Sequence, residues 1–190
     1  ASNLTTAAVA RIAEALAKSS LVKSLRVDHD LELDVQKLRT CDTIELKRKT
    51  LSDLDIAVLS TILKSNKALR VLDLSYSALP ILRVKLLLET IVSIRFSKLV
   101  LRGCQLYDSC TASLCSLITE HGVLSELDLS KNNFEMSGIE EIVKAVASKR
   151  CSVAWVGLAR QSCDISDEDR ERLTRMATAE RALVLDFSGK

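Results

Sequence analysis

The residues of this chain best suited to metal or nucleophilic chemistry are two histidines, His29 and His121, and six cysteines, Cys41, Cys104, Cys110, Cys115, Cys151 and Cys163. Zinc sites draw on close ligand pairs such as CxxC or HExxH, because the two ligands must reach one ion from a short backbone segment. Neither spacing occurs here, and Cys104, Cys110 and Cys115 are near one another without forming such a pair. A phosphate cradle of the GxxxxGK[ST] type is absent, and the chain holds five glycines in all. A Ser-His-Asp site would need the fold to bring His29 or His121 beside a serine, and no pattern directs it. The expectation is therefore a non-enzymatic protein with no catalytic residue, no metal and no cofactor. Cysteines without disulfide-like spacing, in a chain able to build a core, read as reduced thiols. That favours a cytoplasmic setting, with a nuclear or cytoskeleton-associated one compatible.

The elements that carry these residues follow from composition and period. Hydrophobic residues make up 47% of the 190, but aromatics only 3%, so the core must be aliphatic. The 27 basic and 25 acidic residues are interspersed and leave a net charge of +2. Such balance offers neither a nucleic-acid-binding tail nor a polybasic membrane anchor. No apolar run approaches the roughly 20 residues that span a bilayer, so no membrane insertion is expected. The stretch Ala7 to Ala17 is broken by Arg11 and Glu14 and does not read as a signal peptide.

One pattern recurs along the whole chain: apolar-x-x-apolar-x-apolar. It stands as Val22/Leu25/Val27, Cys41/Ile44/Leu46, Leu69/Leu72/Leu74, Phe96/Leu99/Leu101, Leu124/Leu127/Leu129, Val153/Val156/Leu158 and Ala182/Leu185/Phe187. The last positions, 27, 46, 74, 101, 129, 158 and 187, are separated by 19, 28, 27, 28, 29 and 29 residues. Five consecutive steps near 28 establish a repeat. The second half of each unit has helical spacing: Ile56, Leu59 and Leu63 recur as Val84, Leu87 and Ile91, and as Ile139, Ile142 and Val146. Helix starts are marked by Ser52-x-x-Asp55, Ser137-x-x-Glu140 and Ser166-x-x-Asp169, by Asp108-Ser109 and by Pro80, and Gly122 stands where a helix would end.

A strand–turn–helix unit of this size cannot bury its apolar side alone, so units must stack. The fold class is therefore α/β: a solenoid that resembles leucine-rich-repeat arrays, with a parallel sheet on one face and parallel helices on the other. Helices are about 10 Å wide and strands about 4.8 Å apart, so the stack should curve into a horseshoe with the sheet on the concave face. One domain over residues 1–190 is expected, with about five full repeats and strands near 25–27, 44–46, 72–74, 99–101, 127–129, 156–158 and 185–187. The 19-residue step leaves 28–40 too short for the usual helix, as a truncated repeat or a bend. Val9, Ile12 and Leu16 hold helix-face offsets with no strand before them, and the chain stops on a strand. Both features suggest a fragment of a longer protein with flanking repeats or domains.

The units resemble the ribonuclease-inhibitor-type leucine-rich repeats, LxxLxLxxN/CxL followed by a full helix. The best copies are Leu124-Ser-Glu-Leu127-Asp-Leu129-Ser-Lys-Asn132-Asn-Phe134 and Leu99-Val-Leu101-Arg-Gly-Cys104-Gln-Leu106. The resemblance implies a structural ladder in which Asn132 and Cys104 tie adjacent turns together. Lys49, Ser77 and Gln161 occupy that slot elsewhere, and an irregular ladder is expected there. It also implies a protein partner rather than a substrate. One branch of the family activates small GTPases, which is the alternative reading, although such proteins usually carry an acidic tail that this sequence does not show.

Residues beside the core positions should face outward from the sheet, and from these the candidate partner-binding surface is Val71, Asp73, Tyr76, Lys98, Val100, Arg102, Glu126, Asp128, Lys131, Trp155 and Arg160. Trp155 is the only tryptophan, a residue type favoured at binding hot spots. Nucleic acid is not an expected partner, since Lys98, Arg102, Lys131 and Arg160 are diluted by Asp73, Glu126 and Asp128.

Overall fold

Strand β1 (Ser24–Asp28) pairs antiparallel with β2 (Leu31–Asp34), and a short helix α1 (Val35–Thr40) follows, its N-terminus capped by Asp34. The computed structural model describes residues 11–189 apart from 13, 17, 20, 29, 30, 80 and 180. From Thr43 onward strand and helix alternate. Strands β3 (Thr43–Glu45), β4 (Val71–Asp73), β5 (Lys98–Val100), β6 (Glu126–Asp128), β7 (Trp155–Gly157) and β8 (Val184–Asp186) form one parallel sheet in chain order. Helices α2 (Asp53–Leu63), α3 (Ile81–Ile91), α4 (Thr111–Glu120), α5 (Met136–Ala147) and α6 (Asp167–Thr178) supply the five crossovers. Parallel neighbours need such a connection, because one strand must return to the starting edge before the next begins. The arrangement is α/β and compatible with a leucine-rich-repeat fold.

This corrects the first repeat. The strand expected near 25–27 lies in a separate two-stranded antiparallel sheet and not in the parallel one. A 19-residue step has no room for a full crossover helix, so only the six-residue α1 fits there, and β1 pairs with β2 in an antiparallel hairpin instead of joining the parallel sheet. Every later strand begins and ends one residue before the expected bounds. The final apolar residue of each motif already belongs to the turn, although its amide still bonds across, as Leu46 N does to Asp73 O at 2.8 Å.

The centres of the first five strands of the sheet point into the core: Ile44, Leu72, Leu99, Leu127 and Val156 are all buried, whereas Leu185 of β8 is half-buried. The three helix rows that begin at Ile56, Val84 and Ile139 are buried too. Ile12 departs from the helix-row expectation at 42% exposure. No strand of its repeat lies among the described residues for it to pack on, and Val9 lies outside them. Ser52 makes the expected capping box with Asp55, and Ser166 caps α6 by accepting from Asp169 N. Ser137 does not cap α5, which begins at Met136. Gly122 is not in the left-handed conformation of a helix-ending glycine, and Pro80 lies outside the described residues.

Two hydrogen-bonded ladders join the repeats. At the C-terminal ends of the strands, side chains of the slot after the turn donate to a carbonyl of the preceding repeat. Ser77 Oγ reaches Leu46 O (2.6 Å), Cys104 Sγ Leu74 O (3.1 Å), Asn132 Nδ2 Leu101 O (2.9 Å) and Gln161 Nε2 Leu129 O (2.9 Å). The ladder is thus continuous from Ser77 to Gln161, contrary to the irregularity expected there. A hydroxyl or a longer amide carries a donor O–H or N–H just as asparagine does, whereas Lys49 joins the ladder through its backbone amide, which donates to Ser77 Oγ. Burial pushes the Cys104 thiol up to about 12, so it stays a neutral donor.

The second ladder runs along the N-terminal ends and was not anticipated. Asn66 Nδ2 donates to Leu38 O at 3.0 Å, Ser152 Oγ to Leu124 O at 2.8 Å, and the Arg181 guanidinium to Cys151 O and Val153 O. His121 is the member between, with Nε2 2.6 Å from Ile94 O and its ring centroid 4.5 Å from that of Phe96. Its Nδ1 is buried with no hydrogen-bond partner among the described residues. Burial holds His121 below its ordinary 6.5, with the Arg95 charge acting in the same direction. Because the unfolded chain binds this proton more readily, the contribution of His121 is complete above pH 6.5 and is lost as pH falls toward the folded value. Urea midpoints compared at pH 7.5 and 5.5 should fall in the wild type and change much less in His121→Gln. A wild-type midpoint that is flat over this interval would show that the buried ring already has an acceptor for a second proton.

Candidate sheet-face binding site

Each short strand presents one residue on either side of its inward-facing centre, and parallel pairing stacks these into rows. The first row is Thr43, Val71, Lys98, Glu126, Trp155 and Val184; the second is Glu45, Asp73, Val100, Asp128, Gly157 and Asp186. A third row follows past the strand ends, with Lys47, Ser75, Arg102, Ser130, Ala159 and Ser188 in equivalent places. Asp73, Asp128 and Asp186 each accept from the backbone amide two residues on, that of Ser75, Ser130 or Ser188. These carboxylates therefore shape the turns as well as the surface.

The fourth row holds a shared backbone conformation. Arg48, Tyr76, Gly103, Lys131, Arg160 and Gly189 all have φ between 55° and 69°. Backbone bonds keep the turns aligned, from Tyr76 N to Arg102 O, Gly103 N to Ser130 O and Lys131 N to Ala159 O. The left-handed region disfavours side chains with a Cβ by about 1–2 kcal/mol, yet four of the six positions carry long ones. Gly103 has a further reason to be glycine: a Cβ there would lie 2.6 Å from Tyr76 Cδ1. The Tyr76 ring lies over it, with Arg48 Cζ at 5.9 Å and Lys131 Nζ at 5.4 Å from its centroid. Arg102 Nε donates to the Tyr76 hydroxyl at 3.3 Å. Lys131 and then Arg102, as partners of the phenol oxygen, hold its pKa below the ordinary 10.

Sequence reasoning named eleven residues for this surface, and the structure distributes them over the four rows. Val71, Lys98, Glu126 and Trp155 share the first; Asp73, Val100 and Asp128 the second; Arg102 is in the third; Tyr76, Lys131 and Arg160 are in the fourth. Lys98 is paired with Glu126 at 2.7 Å, and Arg102 lies 3.8 Å from Asp128. Trp155 is half-buried on the face, its indole lying along the strand over Gly157, where a Cβ would come within 2.8 Å of Trp155 Cη2. Beside it Val184 is 57% exposed. The reading missed Val184 and Arg48. Each could have been found by carrying the repeat offset one unit outward, from Trp155 and from Tyr76. Among the described residues no three His, Cys, Asp or Glu side chains are placed to hold one metal ion, and no helix is long and apolar enough to cross a membrane.

No protein-family model matches the chain. Among curated proteins it is 30% identical over 155 residues to "NACHT, LRR and PYD domains-containing protein 4B" of Mus musculus, covering 75% of this chain and 18% of that protein. It is 31% identical over 113 residues to "NACHT, LRR and PYD domains-containing protein 9C" of Mus musculus, covering 58% and 11%. The chain thus spans less than a fifth of the length of either relative. Taken with the sheet of stacked repeats, these likenesses support a leucine-rich-repeat relationship for this chain.

Proposed function

We propose that the chain is a non-enzymatic protein-binding module, an array of ribonuclease-inhibitor-type repeats that docks a protein partner on its sheet face. The observation that carries the reading is the set of aligned side-chain rows, with Trp155 lying half-exposed beside Val184 on the face opposite the helices. A tryptophan held flat on a strand offers a large contact area with few rotamers left to freeze, which is what binding hot spots use. The greater width of helices than of strand spacing would bend this face to the inside and let it wrap a convex partner. A reducing cytoplasmic setting fits six free thiols.

The test is capture and crosslinking from native extract with wild type, Trp155→Ala and the helix-side variant Lys144→Glu. Trp155→Ala should weaken the captured complex by about 2 kcal/mol or more while barely moving the melting temperature. Lys144→Glu should bind as wild type does, since Lys144 is exposed on α5 and only 4.0 Å from Glu140. Intact binding together with a loss of several kcal/mol of stability in Trp155→Ala would make the tryptophan a folding residue and overturn the reading.

A further inference from the structure

We propose that the fourth row, the left-handed turn residues at the C-terminal ends of the strands, is a docking track for an extended acidic segment of the partner. The proposal rests on the protein-binding reading above and adds the chemistry and direction of what binds. Most carboxylates of the sheet face are paired elsewhere, Glu45 and Asp73 with Lys47, Glu126 with Lys98 and Asp128 with Arg102, while Asp186 accepts from the amide and hydroxyl of Ser188. Arg48, Lys131 and Arg160 are left without an ion-pair partner among the described residues. Between them Tyr76 lies flat over Gly103 and is exposed to 42%.

The backbone gives an independent reason to assign this row a use. A turn that only has to reverse the chain is best served by glycine, as at Gly103 and Gly189, or by asparagine. Arginine, lysine, tyrosine and arginine occupy the same conformation in the other four repeats. Each accepts backbone strain to place a long side chain at one level of the stack, and strain kept at several equivalent sites points to use.

The spacing specifies the ligand further. Adjacent strands are about 4.8 Å apart, so Lys131 and Arg160 stand about 14 and 19 Å along the row from Arg48. An extended peptide crossing the strands advances about 3.3 Å per residue. Its residues i, i+4 and i+6 then fall opposite Arg48, Lys131 and Arg160, and i+2 passes over Tyr76 and Gly103. A polyanion with charge at every step fits less well, because Asp73, Asp128 and Asp186 run as a parallel acidic row only three residues inward. Sparse carboxylates on a peptide satisfy the basic row and clear the acidic one.

The experiment uses fluorescence anisotropy with the 190-residue chain and three labelled probes. These are the capped heptapeptide Asp-Ser-Ser-Ser-Asp-Ser-Asp, the same peptide with Asn for Asp, and a short single-stranded oligothymidylate. The acidic peptide should bind about tenfold or more tightly than its Asn counterpart, three exposed ion pairs being individually weak, and should lose affinity as salt rises. The combined variant Arg48→Asn, Lys131→Asn and Arg160→Asn should lose that preference. It should melt at or above the wild-type temperature, because asparagine tolerates the left-handed region better than arginine or lysine. A purely structural role for the row would instead lower the melting temperature. Equal binding of the two peptides, unchanged binding by the triple variant, or tighter binding of the oligonucleotide would each overturn the proposal. Capture of a partner that depends on Trp155 but not on the triple variant would remove the track while leaving the sheet-face reading intact.

Discussion

Asn132→Ala is expected to lower the stability of the chain by about 3–5 kcal/mol, since it strands several buried backbone groups at once. The side-chain amide of Asn132 is the most heavily used in the turn ladder. Its Oδ1 accepts from Cys104 N (3.0 Å) and Leu106 N (3.1 Å), and its Nδ2 donates to Leu101 O (2.9 Å) and Leu129 O (2.8 Å). Asn132 is only 3% exposed, so water does not readily replace what is lost, and each orphaned group costs about 1–3 kcal/mol. Asn132→Ser should recover part of the loss, because Ser77 serves the same slot with one donor and one acceptor. Asn132→Asp should recover less, as a carboxylate keeps the two acceptor bonds but faces the two carbonyls without a proton. Denaturant unfolding of the three variants checks the order. A cost below 1 kcal/mol for alanine would mean that solvent reaches the turn, and the ladder would then be an ornament of the repeat rather than its fastening.

That ladder also shows which parts of the architecture are legible in sequence. The strand centres and helix faces were readable because burial imposes a residue type: Leu72, Leu99 and Leu127 sit at the same depth in identical layers, and nothing polar can replace them there. The left-handed turn row was not, because its constraint acts on φ, which arginine, tyrosine and lysine can meet at a cost without changing the hydrophobic pattern. The N-terminal ladder was hidden for a related reason. Asn66, His121, Ser152 and Arg181 share only the ability to donate to a carbonyl, and a requirement met by four residue types leaves no motif. The hairpin of β1 and β2 was signalled by the 19-residue step, which said that a full helix would not fit but not that a hairpin and the short α1 would share the space. For the surface, the period located the rows, whereas the contacts that distinguish one row from another depend on side-chain reach. Tyr76 over Gly103 and Trp155 over Gly157 pair residues 27 and 2 apart, and no local spacing rule links those two cases.

The helix start that the sequence misassigned carries the second large effect. Serine at 137 followed by glutamate at 140 reads as a self-contained cap, yet the cap of α5 comes from the preceding repeat. Asp108 Oδ1 accepts from Glu135 N at 2.9 Å, and its Oδ2 accepts from Gly138 N at 3.0 Å and from Ser137 Oγ at 2.8 Å. A carboxylate at a helix N-terminus meets both the free amides and the positive end of the dipole. This closeness forbids a side chain at 138, where a Cβ would lie 2.3 Å from Asp108 Oδ1. In a helix, glycine to alanine ordinarily gains about 1 kcal/mol, so two effects of opposite sign compete at this position. The carboxylate is on a short side chain held by three bonds and cannot swing aside without losing its capping role. Gly138→Ala is therefore expected to destabilise by up to about 1 kcal/mol, the lost cap of about 1–2 kcal/mol outweighing the propensity gain. Asp108→Ala alone should cost about 1–2 kcal/mol as an ordinary lost cap. Once Asp108 is gone the obstacle is gone too, and Gly138→Ala made in that background should stabilise by about 1 kcal/mol. The same substitution thus changes sign with its partner, and a double-mutant cycle on unfolding free energies reads the coupling directly. If Gly138→Ala has one sign and size in both backgrounds, Asp108 does not cap α5 in solution, and the joint between these two repeats rests on the core, the strand pairing and the Asn132 ladder without it.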